Sequence, residues 1–304
     1  MHAATFLFAL LSLLLAPMLI GVVNRVKAMF AGRSGRPLLQ PYYDIGKLLR
    51  KGTVYSDAST WLVRTGPIVS LAAVATALLM VPHGGVPAVV SFAWDGILVA
   101  YLLGLARFFT VQGALDTGSA FEGMGASREV QFSALAEPAV VLSIMALARA
   151  VGGDPSLSGI FGGVSAEGWA SMTPIFALVA GSFGIVMLAE NSRVPFDDPN
   201  THLELTMIHE VMVLDHGGPD LAFIQYGAAL KTWLFALLIV GIAVPVRTSN
   251  PWIDGAATVG GVFVVGILVG VVESTMARLR LTRLPLLLIS ASVLSVLALV
   301  LHGR

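Results

Sequence analysis

Eight long apolar runs dominate this chain, at residues 4–23, 66–82, 93–113, 130–152, 169–190, 221–246, 256–275 and 284–302. About 20 apolar residues at about 1.5 Å rise each reach across a hydrocarbon core of about 30 Å, so most of these runs can span a bilayer. The second does so with help from its flanks. An unpaired backbone N–H or C=O in lipid costs several kcal/mol, which leaves only helices and closed barrels as spanning structures. The runs are continuous rather than alternating in ten-residue segments, which excludes a barrel. The expected fold is an all-α integral membrane protein, a single transmembrane domain over residues 1–304 built from about eight helices.

Composition agrees. The chain is 56% hydrophobic and 12% charged, against about 25% charged in an ordinary globular domain. Eighteen Lys plus Arg balance eighteen Asp plus Glu, so no global basic field exists to recruit nucleic acid; the lipid bilayer is the expected surroundings. The absence of cysteine excludes disulfides, thiolate zinc sites and ordinary iron–sulfur ligation. Any redox metal therefore belongs to a partner chain, and no cofactor is expected in this one. Only His2 follows the initiating Met1 before the first run, so the basic segment of a signal peptide is missing and the run reads as a retained helix.

Positive charge is distributed unevenly. Arg25, Lys27, Arg33, Arg36, Lys47, Arg50, Lys51, Arg64, Arg128, Arg193, Arg278, Arg280 and Arg283 fall in or beside four loops on one side, at about 24–65, 114–129, 191–220 and 276–283. The other side holds Arg149, Arg247 and Arg304. The positive-inside rule makes the four basic loops cytoplasmic and puts both termini outside. In the first of them, Leu38, Leu39, Tyr42, Ile45, Leu48 and Leu49 recur at helical spacing with Lys47, Arg50 and Lys51 off the stripe. That pattern predicts a short amphipathic helix at the cytoplasmic surface, lying on lipid or against a partner subunit.

The third loop, "ENSRVPFDDPNTHLELTMIHEVMVLDHGGPD" at 190–220, crowds ionisable groups between segments almost bare of charge. Asp198 before Pro199 reads as a helix start and Gly217, Gly218 and Pro219 as a stop, predicting a helix over 199–216. At 100° per residue His202, His209 and His216 fall within about 40° of each other with Glu210 at the edge, while Glu204 lies opposite, beside Ile208, Val211 and Asp215. A carboxylate among apolar neighbours has a raised pKa, which suits proton transfer. "HEVMVLDH" begins like a zinc-protease helix, but Val213 stands where the second histidine is required, so no metal site is expected. The plain alternative is a solvated loop whose charges face water or a partner.

Arg107, Glu137 and Lys231 lie inside spans, where a charge costs ~2.5 to 3.5 kcal/mol on insertion scales and marks a functional site or a structural pair. Asp116, Glu122, Glu129, Glu190 and Glu273 lie near the basic-side helix ends; Asp95 and Asp254 lie at the other side as solvated caps. Acids and bases running from the loop to mid-membrane resemble a proton relay.

Four stretches together carry a family resemblance. "AENSRVPFDDPNTHLELTMIHEVMVLDH" resembles the loop between the fifth and sixth helices of the subunit 1 family of the complex I superfamily, which includes NADH:quinone oxidoreductases and membrane-bound group 4 NiFe hydrogenases. "GRSGRPLLQPYYDIGKLLRKG", "GMGASREVQFSALAEP" and "ESTMARLRLTRLP" resemble that family's segments after the first helix, at the start of the fourth and before the last. The quinone-reducing form reads like A-E-T-N-R-A-P-F-D-L-P-E-A-E-S-E-L. Glu190, Arg193, Pro195, Phe196, Asp197, Pro199 and Glu204 match it, whereas Asn200 and His202 replace two of its acids. The loop looks more like that of the formate hydrogenlyase and hydrogenase-4 membrane subunits.

The resemblance implies a subunit of the bacterial or archaeal inner (plasma) membrane that docks a hydrophilic arm onto antiporter-like membrane subunits. The arm would consist of a NiFe-hydrogenase-like large subunit and an iron–sulfur small subunit, which hold the NiFe centre and the iron–sulfur clusters. Glu190, Arg193, Asp197, His202, Glu204, His209 and Glu210 are the expected proton-coupling loop. Arg107, Arg128, Glu129, Glu137 and Lys231 are the expected intramembrane relay, and Arg36, Asp44, Lys47, Arg278 and Arg280 the junction with the arm. The alternatives are a quinone-binding subunit of an NADH:quinone oxidoreductase, a stand-alone ion transporter, and a purely structural anchor.

Overall fold

The computed structural model describes residues 2–197, 207–245, 247, 248 and 250–302. Its long helices are α1 His2–Phe30, α3 Trp61–Leu79, α4 Asp95–Asp116, α5 Ala120–Val151, α7 Ala166–Glu190, α8 Gly218–Ala243, α9 Pro251–Thr275 and α10 Leu284–His302. All eight are long and apolar enough to cross a membrane. Two short helices complete the set, α2 Gln40–Leu48 and α6 Leu157–Gly163, of which α6 has no counterpart in the apolar pattern.

Local chemistry starts several of these helices. Thr60, Ser156, Ser165 and Asn250 accept backbone N–H bonds from Leu62, Gly159, Gly168 and Trp252 at 3.0–3.3 Å, satisfying donors the first helical turn leaves open. Pro17, Pro67, Pro138 and Pro174 lie inside α1, α3, α5 and α7. The helical geometry breaks at Met172, two residues before Pro174 (φ −119°), as a missing N–H and a ring clash dictate.

Helix α8 forms the centre. About 67% of its most apolar stretch is enclosed, against 28–44% for the other seven spans, and Leu230, Trp233, Leu234, Phe235, Ala236 and Leu237 are all buried. A helix that is apolar all round is one surrounded by other helices; α8 packs on α1, α3, α7 and α9, while α10 packs on α5 and α7. Small residues close the seams. Ser143, Ser182 and Ser295 share hydrogen bonds of 2.8–3.3 Å between α5, α7 and α10. A Cβ on Gly270 of α9 would stand 2.8 Å from Val26 Cβ and 3.1 Å from the Val23 carbonyl of α1, so this crossing admits only glycine.

Hydrogen bonds tie the basic loops together at one end of the bundle. Thr60 binds Asp116, Tyr55 donates to Asp220 (2.7 Å), and the Leu279 N–H donates to the Pro195 carbonyl (3.0 Å). Asp95 and Asp254, expected to be solvated caps, are instead buried: Asp95 accepts the Leu157 N–H at the start of α6 (2.7 Å) and Asp254 accepts from Thr248 (2.7 and 2.8 Å). They cap helix and loop donors, but from inside the fold.

The amphipathic helix α2 forms where the spacing places it, with Leu38 and Leu39 just ahead of it. It does not ride on the end of the bundle. Tyr42 donates to the carbonyl of Leu14, and the Leu38 carbonyl lies against Gly21, so the segment folds back along the middle of α1.

Candidate functional site

Arg107 sits nine residues before the end of α4, about 13 Å into the bundle at 1.5 Å per residue. Its guanidinium meets three carboxylates: Glu190, Glu137 at 2.6 Å and Glu129 at 3.6 Å. Lys231 of α8 approaches Glu190 from the other side at 3.7 Å. The fold thus gathers Arg107, Glu129, Glu137, Glu190 and Lys231 from α4, α5, α7 and α8 into one cluster. With every group ionised it carries two positive and three negative charges, and one added proton makes it neutral.

A cavity of about 80 Å³ opens beside the cluster, lined by Arg107, Glu129, Glu190, Asn191, His209 and Lys231 together with Ser70, Thr110 and apolar residues of α3 and α8. A water needs roughly 10–15 Å³ of such space and two to four polar partners, so the cavity has room and partners for several. The His209 imidazole lies outside the spans and is shifted down from 6.5 to about 4, chiefly by burial and then by Lys231. It is neutral at physiological pH and free to donate and accept at once.

Helix α7 ends at Glu190 inside the bundle, and the following chain fills the recess. Val194, Phe196, Asp197, Met207, Ile208, Val211, Met212 and Val213 are all buried, so this is no solvated loop. Gly125 of α5 makes room, since a Cβ there would stand 2.3 Å from Val211 Cγ1 and 2.7 Å from the Ile208 carbonyl. Three polar clamps hold the recess. Asp197 pairs with Arg278 (2.7 Å) and accepts the N–H groups of Ile208 and His209 (3.1 Å each). Arg128 donates to the Met207 carbonyl (2.8 Å). Arg193 and Lys27 both meet the buried Glu273, at 3.3 and 2.6 Å.

The expected helix over 199–216 is corrected where it can be seen. Residues 207–216 form no α-helix, only a single 3-10 turn over Glu210–Val213, because Asp197 takes the Ile208 and His209 donors and turns the chain. The three histidines therefore share no helical face: His209 enters the cavity, and His216 packs near Gly113 of α4. Burial also lowers the His216 pKa. His202 and Glu204, and residues 199–206 of the expected helix, lie outside the described residues.

The other expected residues divide. Arg193, Asp197, Arg128 and Arg278 clamp the recess rather than join the charge cluster, and Glu210 opens the 3-10 turn. Arg36, Lys47 and Arg280 are exposed at the basic end, and Asp44 accepts from Gln40 within α2 (2.8 Å). Sequence reasoning missed three participants. Lys27 reads only as loop charge until Glu273 is found beside it, Asn191 lines the cavity and accepts from Thr232 (3.0 Å), and Glu122 accepts the Asp215 N–H (3.1 Å). An acid near a helix end was the one available signal, for Glu273 and Glu122; nothing flags Asn191.

Comparison with known proteins agrees with this architecture. The NADH dehydrogenase family profile matches residues 2–303. Formate hydrogenlyase subunit 4 of Escherichia coli is 32% identical, over 91% of this chain and 91% of its own length. Hydrogenase-4 component C of the same organism is 30% identical over 90% of this chain and 86% of its own length. An NADH-quinone oxidoreductase membrane chain of Koribacter versatilis is 30% identical but over 60% of this chain and 44% of its own length. In three dimensions, a chain of the membrane-bound sulfane sulfur reductase, an archaeal respiratory membrane complex, superposes with a TM-score of 0.83 at 22% identity, covering 98% of this chain and 99% of that one.

Proposed function

Because this chain belongs to the NADH dehydrogenase family, we propose that it is the membrane-anchoring, ion-coupling subunit of a formate hydrogenlyase or energy-converting hydrogenase complex of the inner membrane. The two relatives of formate hydrogenlyase and hydrogenase-4 type support that choice, since they match this chain nearly end to end while the quinone oxidoreductase chain matches less of it. In this reading the NiFe centre and the iron–sulfur clusters reside in partner chains of the hydrophilic arm. The basic loops face the cytoplasm, where Arg36, Lys47 and Arg280 meet that arm.

One observation carries the coupling role. Three carboxylates and two cations share a buried cluster beside a water-sized cavity, and the odd charge count means the cluster takes up or gives back a proton as its surroundings change. The path does not continue straight across. Beyond Arg107, Glu137 and Lys231, the next charged residues along their helices are Asp95, Arg149 and Arg247, at least twelve residues on. It opens sideways instead. The Glu137 side chain is 54% exposed on the flank of α5, while Arg107, Glu129, Glu190 and Lys231 are 6–16% exposed. A charge on a flank at membrane depth is too costly to leave against lipid, so this face meets a neighbouring membrane subunit, through which the ion leaves.

The test is Glu137→Gln in the assembled complex. The expected result is normal assembly and electron transfer with ion movement uncoupled from it. Unchanged coupling refutes the role, and lost assembly with normal coupling in the remaining complexes favours a purely structural anchor. A quinone site is disfavoured by size, because the cavity of about 80 Å³ falls short of the ~300–1,000 Å³ of small-molecule pockets; quinone retained by the purified complex would reinstate it.

A further inference from the structure

A second concavity lies on the far side of α1 from the charged cluster. It is a groove of about 400 Å³ lined by Arg25, Pro37, Leu38, Leu39 and Tyr43. Its two ends differ in chemistry. Arg25 stands five residues before the end of α1, about 7 Å from the basic end of the bundle. The other wall, Leu38, Leu39 and Tyr43, is 40–63% exposed and follows the segment that folds back beside Gly21 and Leu14. Below it the groove runs on to an outward apolar stripe of α1, Leu7, Leu10 and Leu14, each at least 40% exposed. The result is a polar mouth over an apolar channel that opens onto the lipid-facing surface.

The mouth is also unneutralised. Lys27, half a turn away, is paired with Glu273, and Arg193 and Arg278 have carboxylate partners too. Among the described residues no carboxylate pairs with Arg25, Arg33 or Arg36. Arg25 spends one nitrogen on the Ser34 carbonyl, closing the turn that carries Arg33 and Arg36, and a guanidinium has five donors. Three arginines at a membrane boundary above an acyl-sized channel match one kind of ligand.

We propose that the groove between α1 and α2 binds an anionic phospholipid, with its phosphate at Arg25, Arg33 and Arg36 and an acyl chain along Leu38, Leu39 and Tyr43. The lipid fills the space left by α2 folding against α1 and seals the bundle on the side where the helix would otherwise stand away from its neighbours. A second copy of the chain or a partner helix would have to bring acidic groups to the same three arginines and leave no room for lipid.

The test is made on the intact complex, gently solubilised. Native mass spectrometry and lipid extraction are compared for the wild type, the triple variant Arg25→Gln, Arg33→Gln, Arg36→Gln, and Leu39→Trp, which fills the channel and leaves the charges in place. The expected result is retained phosphatidylglycerol or cardiolipin in the wild type, lowered at least fivefold in both variants, with phosphatidylethanolamine unchanged. Should the variants fail to assemble, spin-labelled phosphatidylglycerol and phosphatidylcholine are compared on the wild type, where selective immobilisation of the anionic probe is expected. Equal retention of anionic and zwitterionic lipid, or retention unaffected by both variants, overturns the proposal. So does a photo-crosslinker placed at Tyr43 that captures protein and no lipid.

Discussion

Replacing Arg107 with glutamine leaves three carboxylates facing one cation. The guanidinium is 9% exposed and contacts Glu129, Glu137 and Glu190, so its loss takes the cluster from a net charge of −1 to −2 with all groups ionised. Breaking a buried ion pair by removing one partner costs ~3–5 kcal/mol, because the remaining charge stays buried without compensation. For a chain of this size 1 kcal/mol moves the unfolding temperature by about 2–4 °C, so Arg107→Gln should unfold roughly 6–15 °C lower. Adding Glu190→Gln removes one surplus carboxylate and returns the count to −1. The double variant should therefore be more stable than Arg107→Gln alone, with a coupling of about 1–3 kcal/mol. The measurement is unfolding in detergent at one fixed scan rate, followed by the emission of the buried Trp233. An Arg107→Gln protein within 1 °C of wild type, or a double variant at the sum of the two single effects, would show that these charges are held apart and solvated, and the cluster would lose its meaning.

Three further outcomes follow from the packing. Asp197→Ala removes the partner of Arg278 and the acceptor for the Ile208 and His209 N–H groups; it should cost ~3–5 kcal/mol and speed amide hydrogen exchange across 207–216 while leaving α9 protected. The buried His83, outside the spans, is shifted from 6.5 to about 4 by burial, so between those values the unfolded chain binds a proton that the folded one does not. Stability is thus present above about pH 6.5 and falls as pH drops toward 4, by up to about 3 kcal/mol from this group, with His209 acting in the same sense; His83→Phe should flatten the slope of unfolding temperature against pH. Gly270→Ala should destabilise by ~1–3 kcal/mol, and more than Gly266→Ala. The Gly270 Cβ meets Val26 Cβ and a backbone carbonyl, whereas that of Gly266 chiefly meets the movable end of Leu19. Thermal unfolding of the two variants side by side reads the difference.

The eight spans were legible because each is long enough to cross a bilayer and apolar enough to be stable there, and lipid permits few alternatives. The helix α2 was legible for a related reason, its 3.6-residue stripe, but its place beside the middle of α1 was not, since a stripe names a face and not the surface it meets. Arg107, Glu137 and Lys231 stood out by cost alone, being charges in apolar helices. That they meet each other and Glu190 could not be read, because they come from four helices and pair across separations of up to 83 residues.

Residues 207–216 show where local signals lose. Their flanking Asp-Pro and Gly-Gly-Pro are sound helix punctuation, yet Asp197 offers its carboxylate to the two donors a helix would have used, and burial under α5 fixes that choice. Chain composition settled the solvent, the helices and the likeness to a family, since these depend on hydrophobic length and local motifs. The net charge of the cluster, its water-sized cavity and its opening at Glu137 belong to the folded bundle, because electrostatic energy in a membrane interior depends on which charges stand within a few ångströms, and that is a property of packing.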